Sequence, residues 1–168
     1  MMNKDKLSRA LLSLSELMSR LRMPCGCPWD AQQTDSTIKM YLLEEAYEVL
    51  DAIERKAPED VCGELGDLLF QIIFLARLAE ERGEFDLVDV MEKIAEKMIK
   101  RHPHVFGSTR VKSVEDVAEN WAKIKKREVD VPENLPALMG AHRLSERTSR
   151  MRTDSSSVEE IWGKVEDG

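Results

Sequence analysis

The stretch Glu44-Glu45-Ala46-Tyr47-Glu48, followed after fifteen residues by Glu64-Leu65-Gly66-Asp67, decides how this chain folds. On a helix, residues three or four apart share a face. Glu45 and Glu48 therefore project together, with Glu44 one turn behind Glu48, and Glu64 and Asp67 project together from a second helix. Between them lies Arg55-Lys56-Ala57-Pro58-Glu59-Asp60, a short polar turn with Pro58 suited to the first position of the next helix. Two helices joined so tightly are expected to run antiparallel, side by side. Four carboxylates then converge across the pair.

Carboxylates brought together without compensation repel and raise each other's pKa. A hard divalent cation supplies the compensation. Mg²⁺ takes carboxylate oxygens in octahedral geometry and keeps waters and phosphate oxygens as further ligands, with Mn²⁺ as a substitute. Leu43, Val49, Leu50 and Ile53 on one helix, and Leu65, Leu68, Leu69 and Ile72 on the other, give both an apolar stripe that suits an inward site. A solvated acidic face explains most single E-x-x-E pairs. Two pairs on adjoining helices, each set in an apolar run, favour metal ligation by Glu45, Glu48, Glu64 and Asp67. A di-iron carboxylate bundle expects Glu-x-x-His, and no histidine follows Glu48 or Glu64 at that spacing.

Upstream, residues 4 to about 22 form a first amphipathic helix with Leu7, Leu11, Leu14, Met18 and Leu21 in register as core. Met23-Pro24-Cys25-Gly26-Cys27-Pro28 ends it. Cys25 and Cys27 lack the spacing and the second ligand pair of a zinc site. Trp29-Asp30 sits in a Pro/Gly-bounded loop, where the indole either packs the loop onto the bundle or stacks on a base whose amino hydrogens Asp30 accepts. Thr34, Asp35 and Ser36 are candidate N-caps of the second helix.

The third helix runs from about Pro58 to Arg82, with Gly83 as a left-handed cap. Phe85-Asp86, with Asp89 three residues on, opens a fourth helix whose apolar face is Val88, Met91, Ile94, Ala95 and Met98. Lys97 and Arg101, four apart near its end, favour the helix dipole or clamp phosphates opposite the acidic cluster. His102 and His104 read as loop-fixing donors, with Phe106 as an anchor. Ser113 with Asp116 opens a fifth helix holding Val117, Trp121 and Ile124. Trp121 is a core residue or a stacking platform, and Lys123, Lys125, Lys126 and Arg127 form the most basic run of the chain. Val131 to Pro136 reads as a linker, residues 137 to 152 as helical, and Ile161-Trp162 as a last turn.

The 168 residues carry a formal charge of -7, which argues against general binding to nucleic acid polymers, whose phosphates would repel the chain. Three cysteines are too few for a disulfide scaffold, and no secretory signal opens the sequence. No apolar run approaches the ~20 residues of a membrane span. A reducing cytoplasm is the expected location. No Gly-rich phosphate loop or dinucleotide fingerprint is present, so phosphate binding falls to metal and side chains.

Glu44-Glu45-x-x-Glu48 with Glu64-x-x-Asp67 resembles the EExxE…ExxD signature of the all-α nucleoside triphosphate pyrophosphohydrolases. Gly26-Cys27-Pro28-Trp29-Asp30, Gln33-Thr34, Gly63-Glu64-Leu65-Gly66-Asp67-Leu68-Leu69-Phe70-Gln71 and Arg101-His102-Pro103-His104-Val105-Phe106 narrow the likeness to the MazG branch over residues 5 to 140. The resemblance implies an all-α antiparallel helical bundle completed by dimerisation. It also implies Mg²⁺-dependent hydrolysis of a nucleoside triphosphate to the monophosphate and pyrophosphate. By the same likeness Glu44 or Glu45 orients the attacking water, and Lys97 and Arg101 contact phosphates. Trp29, Asp30, Trp121 and Lys125 lie near the nucleotide. The expected partners are the triphosphate and a second copy of the chain, in a homodimer or higher assembly.

Residues 1–130 are expected to form the helical module, and 131–168 a linker with a helical extension. In two-module relatives Leu135-Pro136-Ala137-Leu138 begins the connection to a second module, and this sequence stops at Gly168, about where that module's acidic helix would start. The sequence is expected to be either a one-module protein or a piece of a two-module one. The competing expectation is a catalytically silent helical module that binds nucleotide or a protein partner.

Overall fold

A computed structural model of the chain describes residues 3–125. The regular structure among them is all helical: α1 (Lys4–Arg22), α2 (Pro28–Ala31), α3 (Asp35–Glu54), α4 (Pro58–Glu81), α5 (Leu87–Arg101), α6 (Pro103–Phe106) and α7 (Val114–Lys125). These residues fall into two compact units, one ending at Lys100 and the other beginning at Arg101. The expected linker, the helix over 137–152 and the turn at Ile161-Trp162 lie outside the described residues, as do Lys126 and Arg127.

Helix ends follow local chemistry. The Asn3 side chain accepts from the Lys6 N–H at 3.0 Å, and the Thr37 hydroxyl accepts from the Thr34 N–H at 3.0 Å. Asp86 and Asp89 cap each other's backbone N–H, each at 3.0 Å, and the Ser113 hydroxyl accepts from the Asp116 N–H at 3.1 Å. Helix α4 closes as expected on Gly83 at φ 69°: the Gly83 N–H donates to Glu80 O at 2.9 Å and the Glu84 N–H to Ala79 O at 3.0 Å.

The α3–α4 turn repeats that pattern without a glycine. Lys56, at φ 54°, donates to Ile53 O at 3.0 Å, and Ala57 donates to Ala52 O at 3.3 Å. A left-handed lysine costs about 1 kcal/mol relative to glycine. The two closing hydrogen bonds offset that cost.

In the first unit α3 and α1 both pack on α4, and α1 also touches α2. The core joins Met18 of α1, Ile38 of α3 and Ile73, Phe74 and Leu78 of α4, rimmed by Leu11, Leu14, Tyr41, Phe70, Leu75 and Leu87. The expected apolar stripes are only partly covered within one chain. Val49 is buried, but Leu43, Leu50, Ile53, Leu65, Leu69 and Ile72 are exposed, as are Leu7 on α1 and Val88, Met91 and Ile94 on α5. Helical periodicity marks a face as apolar without saying what covers it.

A charged network closes the core where α1 ends. The Arg22 guanidinium forks onto Glu81, Nε to Oε1 at 2.9 Å and Nη2 to Oε2 at 2.7 Å, and Arg77 Nε donates to the same Oε1 at 3.0 Å. The Arg22 side chain is only 8% exposed and that of Glu81 30%. The hydrogen bond from Arg22, ahead of the smaller contribution of Arg77, holds the Glu81 carboxyl below its ordinary value of 4.5. A lowered folded pKa contributes stability that is present above 4.5 and is lost as the pH falls through the folded value. Replacing Glu81 by Gln is therefore expected to cost roughly 2 kcal/mol at pH 7. In denaturant titrations the gap to the parent protein should close as the pH drops below 4.5; a gap independent of pH would refute the charged origin.

Candidate metal centre on α3 and α4

Glu45 and Glu48 share a face of α3, and Glu64 lies on α4, which packs against it. Glu45, Glu48 and Glu64 each bring a carboxylate oxygen within 4.8 Å of the others. Glu45 and Glu64 are half-buried and Glu48 is exposed. Asp67, one turn beyond Glu64 and exposed, stands outside this triple, but its charge acts on both Glu45 and Glu64. Glu44 is exposed and does not join the group.

The electrostatics are those of a frustrated site. Burial raises the Glu45 carboxyl above its ordinary 4.5, and the Glu48 and Asp67 charges push it the same way; a hydrogen bond from Gln71 opposes them. Glu64 is raised by partial burial, then by Glu48 and Asp67. With carboxylate oxygens of Glu45, Glu48 and Glu64 within 4.8 Å of one another, the ionised groups repel unless a proton or a cation offsets their charge. Among the described residues, none of the salt bridges includes Glu45, Glu48, Glu64 or Asp67. An all-oxygen, uncompensated donor set fits a hard divalent cation. Gln71 is the residue that sequence reasoning missed. Its Nε2 donates to Glu45 Oε1 at a long 3.4 Å. Its signal was a polar residue between Phe70 and Ile72, one turn past Asp67.

The other expected residues are placed as follows. Trp29, on α2, is 55% exposed, and its ring centroid is 6.0 Å from that of Tyr41 at a 56° tilt. Asp30 is buried, and its carbonyl accepts from Arg22 Nη1 at 2.5 Å. Lys97 is exposed on α5 and belongs to the first unit. Arg101 opens the second unit, half-buried, with its guanidinium carbon 5.8 Å from the Trp121 ring centroid. His102 meets Trp121 edge-on at 5.1 Å. Lys125 is the last residue of α7, and its side chain is outside those described.

The expected loop at His102 is the cap of α6, whose backbone carbonyl accepts from the Val105 N–H at 2.9 Å and the Phe106 N–H at 3.1 Å. Phe106 is exposed rather than an anchor, and the His104 Nδ1 is buried without a hydrogen bond.

The fold and the cluster define an all-α protein with a carboxylate site suited to a metal ion. Residues 33–106 match the MazG nucleotide pyrophosphohydrolase domain family. The chain is 43% identical over 163 residues to the nucleoside triphosphate pyrophosphohydrolase of Escherichia coli K12, covering 90% of this chain and 62% of that protein. It is 40% identical over 159 residues to the nucleoside triphosphate pyrophosphohydrolase/pyrophosphatase MazG of Thermotoga maritima, covering 92% of this chain and 62% of that protein. The crystal structure of a mazG-related protein from Thermotoga maritima matches with a TM-score of 0.58 at 27% identity, over 68% of this chain and 97% of that one. Residues 33–106 of the chain thus form a MazG nucleotide pyrophosphohydrolase domain by sequence, and the likeness to these relatives extends over most of the chain. The chain spans less than two thirds of the length of these two named relatives.

Because Glu48 raises both Glu45 and Glu64, its removal has effects of opposite sign with and without metal. Glu48→Gln is expected to raise the Tm in EDTA by about 1–2 °C, since a repulsion is lost. The same change should abolish the upward shift expected of the parent protein when a divalent cation such as Mg²⁺ is added. In that parent the shift should shrink as the pH falls from neutral toward the raised carboxyl values, where protons compete with the cation. Thermal melts in EDTA and in Mg²⁺ at two pH values check all three signs.

Proposed function

We propose that this chain hydrolyses nucleoside triphosphates between the α- and β-phosphates, releasing the monophosphate and pyrophosphate. The observation that carries the reading is the approach of Glu45, Glu48 and Glu64 within 4.8 Å, in a chain whose residues 33–106 match the MazG domain. Glu45, Glu48, Glu64 and Asp67 would hold Mg²⁺, or Mn²⁺ in its place. When bound, that ion supplies charge neutralisation at the phosphates and acidifies a water.

The chain's own residues do the rest. Glu44 or Glu45 orients the attacking water and takes its proton. The water oxygen bonds to the α-phosphorus, the bond from that phosphorus to the bridging oxygen breaks, and pyrophosphate leaves with that oxygen. Glu45 is the better placed of the two for the base role, because it joins the acidic cluster and Gln71 donates to its Oε1, whereas Glu44 stands outside the group. Trp29 offers an exposed indole for the base, with Asp30 beside it. The contacts assigned to Lys97 and Arg101 on the phosphates, and to Trp121 and Lys125 on the nucleoside, rest on the family resemblance. In a dimer they can serve either subunit's substrate. We assign the reaction to residues 1–130, with 131–168 as linker and extension, and place the protein in the cytoplasm. Among the described residues no helix is long and apolar enough to cross a membrane.

Pyrophosphate release from a panel of canonical and damaged triphosphates, with Mg²⁺ and with EDTA, tests the reading. Release is expected only with the metal, and Glu48→Ala should lower it by at least ~100-fold. A folded protein that releases none from any substrate would instead be a nucleotide-binding or regulatory module.

The uncovered apolar face of α3 and α4 supports an antiparallel bundle completed by a second copy. Leu50 is 53% exposed, and Leu65, Leu69 and Ile72 are uncovered with it. Leaving several large side chains in water forfeits about 2 kcal/mol each relative to burial. Light scattering is expected to give at least twice the chain mass of 19.2 kDa, and Leu50→Glu should shift the protein to monomer. A monomeric parent protein would end the bundle-by-dimer reading.

A further inference from the structure

The segment between α1 and α3 carries the two residues assigned to the nucleoside end of the substrate, and its only regular structure is the four-residue α2. Its entry is fixed by backbone. The Cys27 N–H donates to Leu21 O and the Gly26 N–H to Met23 O, both at 2.8 Å. A Cβ at Gly26 would fall 2.3 Å from Arg20 O, so only glycine allows the approach.

Its far half hangs on one side chain. Arg22 Nη1 donates to Asp30 O at 2.5 Å and reaches Gln33 O at 3.4 Å. The remaining edge of the same guanidinium is the fork onto Glu81, and its carbon lies 5.3 Å from the ring centroid of the buried Phe74. The Gln33 side chain then donates to Trp29 O at 3.0 Å. The guanidinium thus ties the Trp29 loop to the end of α4 from a nearly water-free position.

The tie bears on the metal centre through α3. Trp29 leans on Tyr41 at 6.0 Å, and Tyr41 precedes Glu45 by four residues on the same helical face. The indole is therefore referenced to the carboxylates across one helical turn, roughly 6 Å of rise.

We propose that Arg22, held by Glu81, is a positioning residue: it presets the Trp29 loop against Tyr41, so that the nucleoside end of a triphosphate binds at a fixed reach from the carboxylates. The proposal rests on the pyrophosphohydrolase reading for its substrate. Arg22 touches neither the acidic cluster nor the reacting phosphates. Its loss acts on binding of the nucleoside more than on the chemical step. Lysine cannot replace it, because a single ammonium does not span two carboxylate oxygens and two carbonyls in one plane.

The test uses the protein labelled with 5-fluorotryptophan, with the Trp29 resonance assigned through Trp29→Phe. Arg22→Lys is expected to shift or broaden that resonance alone and to raise KM roughly tenfold, with kcat within about twofold and the Mg²⁺ requirement unchanged. Glu81→Gln, which leaves the carbonyl bonds in place, should move both readouts the same way but less, and it decides the matter if Arg22→Lys does not fold. Arg82→Gln is the control. It breaks the pairs with Asp35 and Glu84 at the same end of α4 without touching the loop, and should move neither readout.

An unmoved Trp29 resonance with unchanged KM in folded Arg22→Lys overturns the proposal. So does a loss confined to kcat, or an equal effect from Arg82→Gln. If the parent protein hydrolyses no triphosphate, the pyrophosphohydrolase reading has failed. The latch is then judged by the resonance and by binding of α,β-methylene nucleoside triphosphates, whose affinity Arg22→Lys should weaken roughly tenfold; an unchanged affinity refutes it.

Discussion

Mutual repulsion among carboxylates on α3 and α4 is the constraint against which the rest of the first unit is built. Folding places Glu45, Glu48 and Glu64 within 4.8 Å, and their electrostatics oppose it. The favourable side comes from elsewhere on the same helices. Ile38 near the start of α3 meets Phe74 and Leu78 near the end of α4 and Met18 of α1, while Val49 and Ala52 are buried nearer the turn. Helix pairing is therefore decided by apolar burial, which is not directional and does not depend on the charges. The carboxylates are carried into proximity by neighbours that do not share their preference. Such a site gains stability when a cation enters, which is how a rigid pair of helices stores affinity for metal.

The ion-paired arginines of the first unit lie away from the acidic group. Arg22, Arg77 and Arg82 are committed to Glu80, Glu81, Glu84 and Asp35 around the ends of α1 and α4, and Arg55 to Asp51 and Asp60 at the turn. An arginine paired with Glu45 or Glu48 would lower their pKa values and occupy the oxygens that a metal needs. Leaving the acidic group unpaired keeps its oxygens available to a cation, as the proposed reaction requires.

Much of this was legible in the sequence where the determinant is local. The starts of α3, α4 and α5 and the end of α4 were readable because Thr34, Pro58, Gly83 and the Asp86/Asp89 pair act within one turn, and the end of α1 because Pro24 follows it. The approach of Glu45, Glu48 and Glu64 was readable because one i, i+3 relation and a short turn between the two helices fix it, whereas the expected fourth member, Asp67, stands outside the triple. The left-handed Lys56 was not, since the position favours glycine and nothing in the residue announces the conformation. Helices α2 and α6, four residues each, are too short for periodicity to register. The exposure of Leu43, Leu50 and Leu65 was hidden for another reason: a stripe of leucines looks the same whether its cover belongs to the same chain or to another.

The least legible feature is also the one that links the two ends of the candidate site. Arg22 and Glu81 stand 59 residues apart, and each by itself reads as an ordinary charge at a helix end, where Arg22 satisfies the α1 dipole. Only the fold shows that the arginine is nearly excluded from water and that its remaining donors reach the carbonyls of Asp30 and Gln33. Buried guanidinium groups are held by geometry more than by net energy, because the desolvation penalty offsets most of the ion-pair gain. What such a group contributes is a defined arrangement. Here that arrangement joins the segment bearing Trp29 to the helix bearing Glu64 and Asp67. A substrate with an aromatic base at one end and a polyphosphate at the other needs its two contact surfaces held at a constant separation. In this chain one arginine, anchored on one glutamate, fixes the end of that span which the helices leave free.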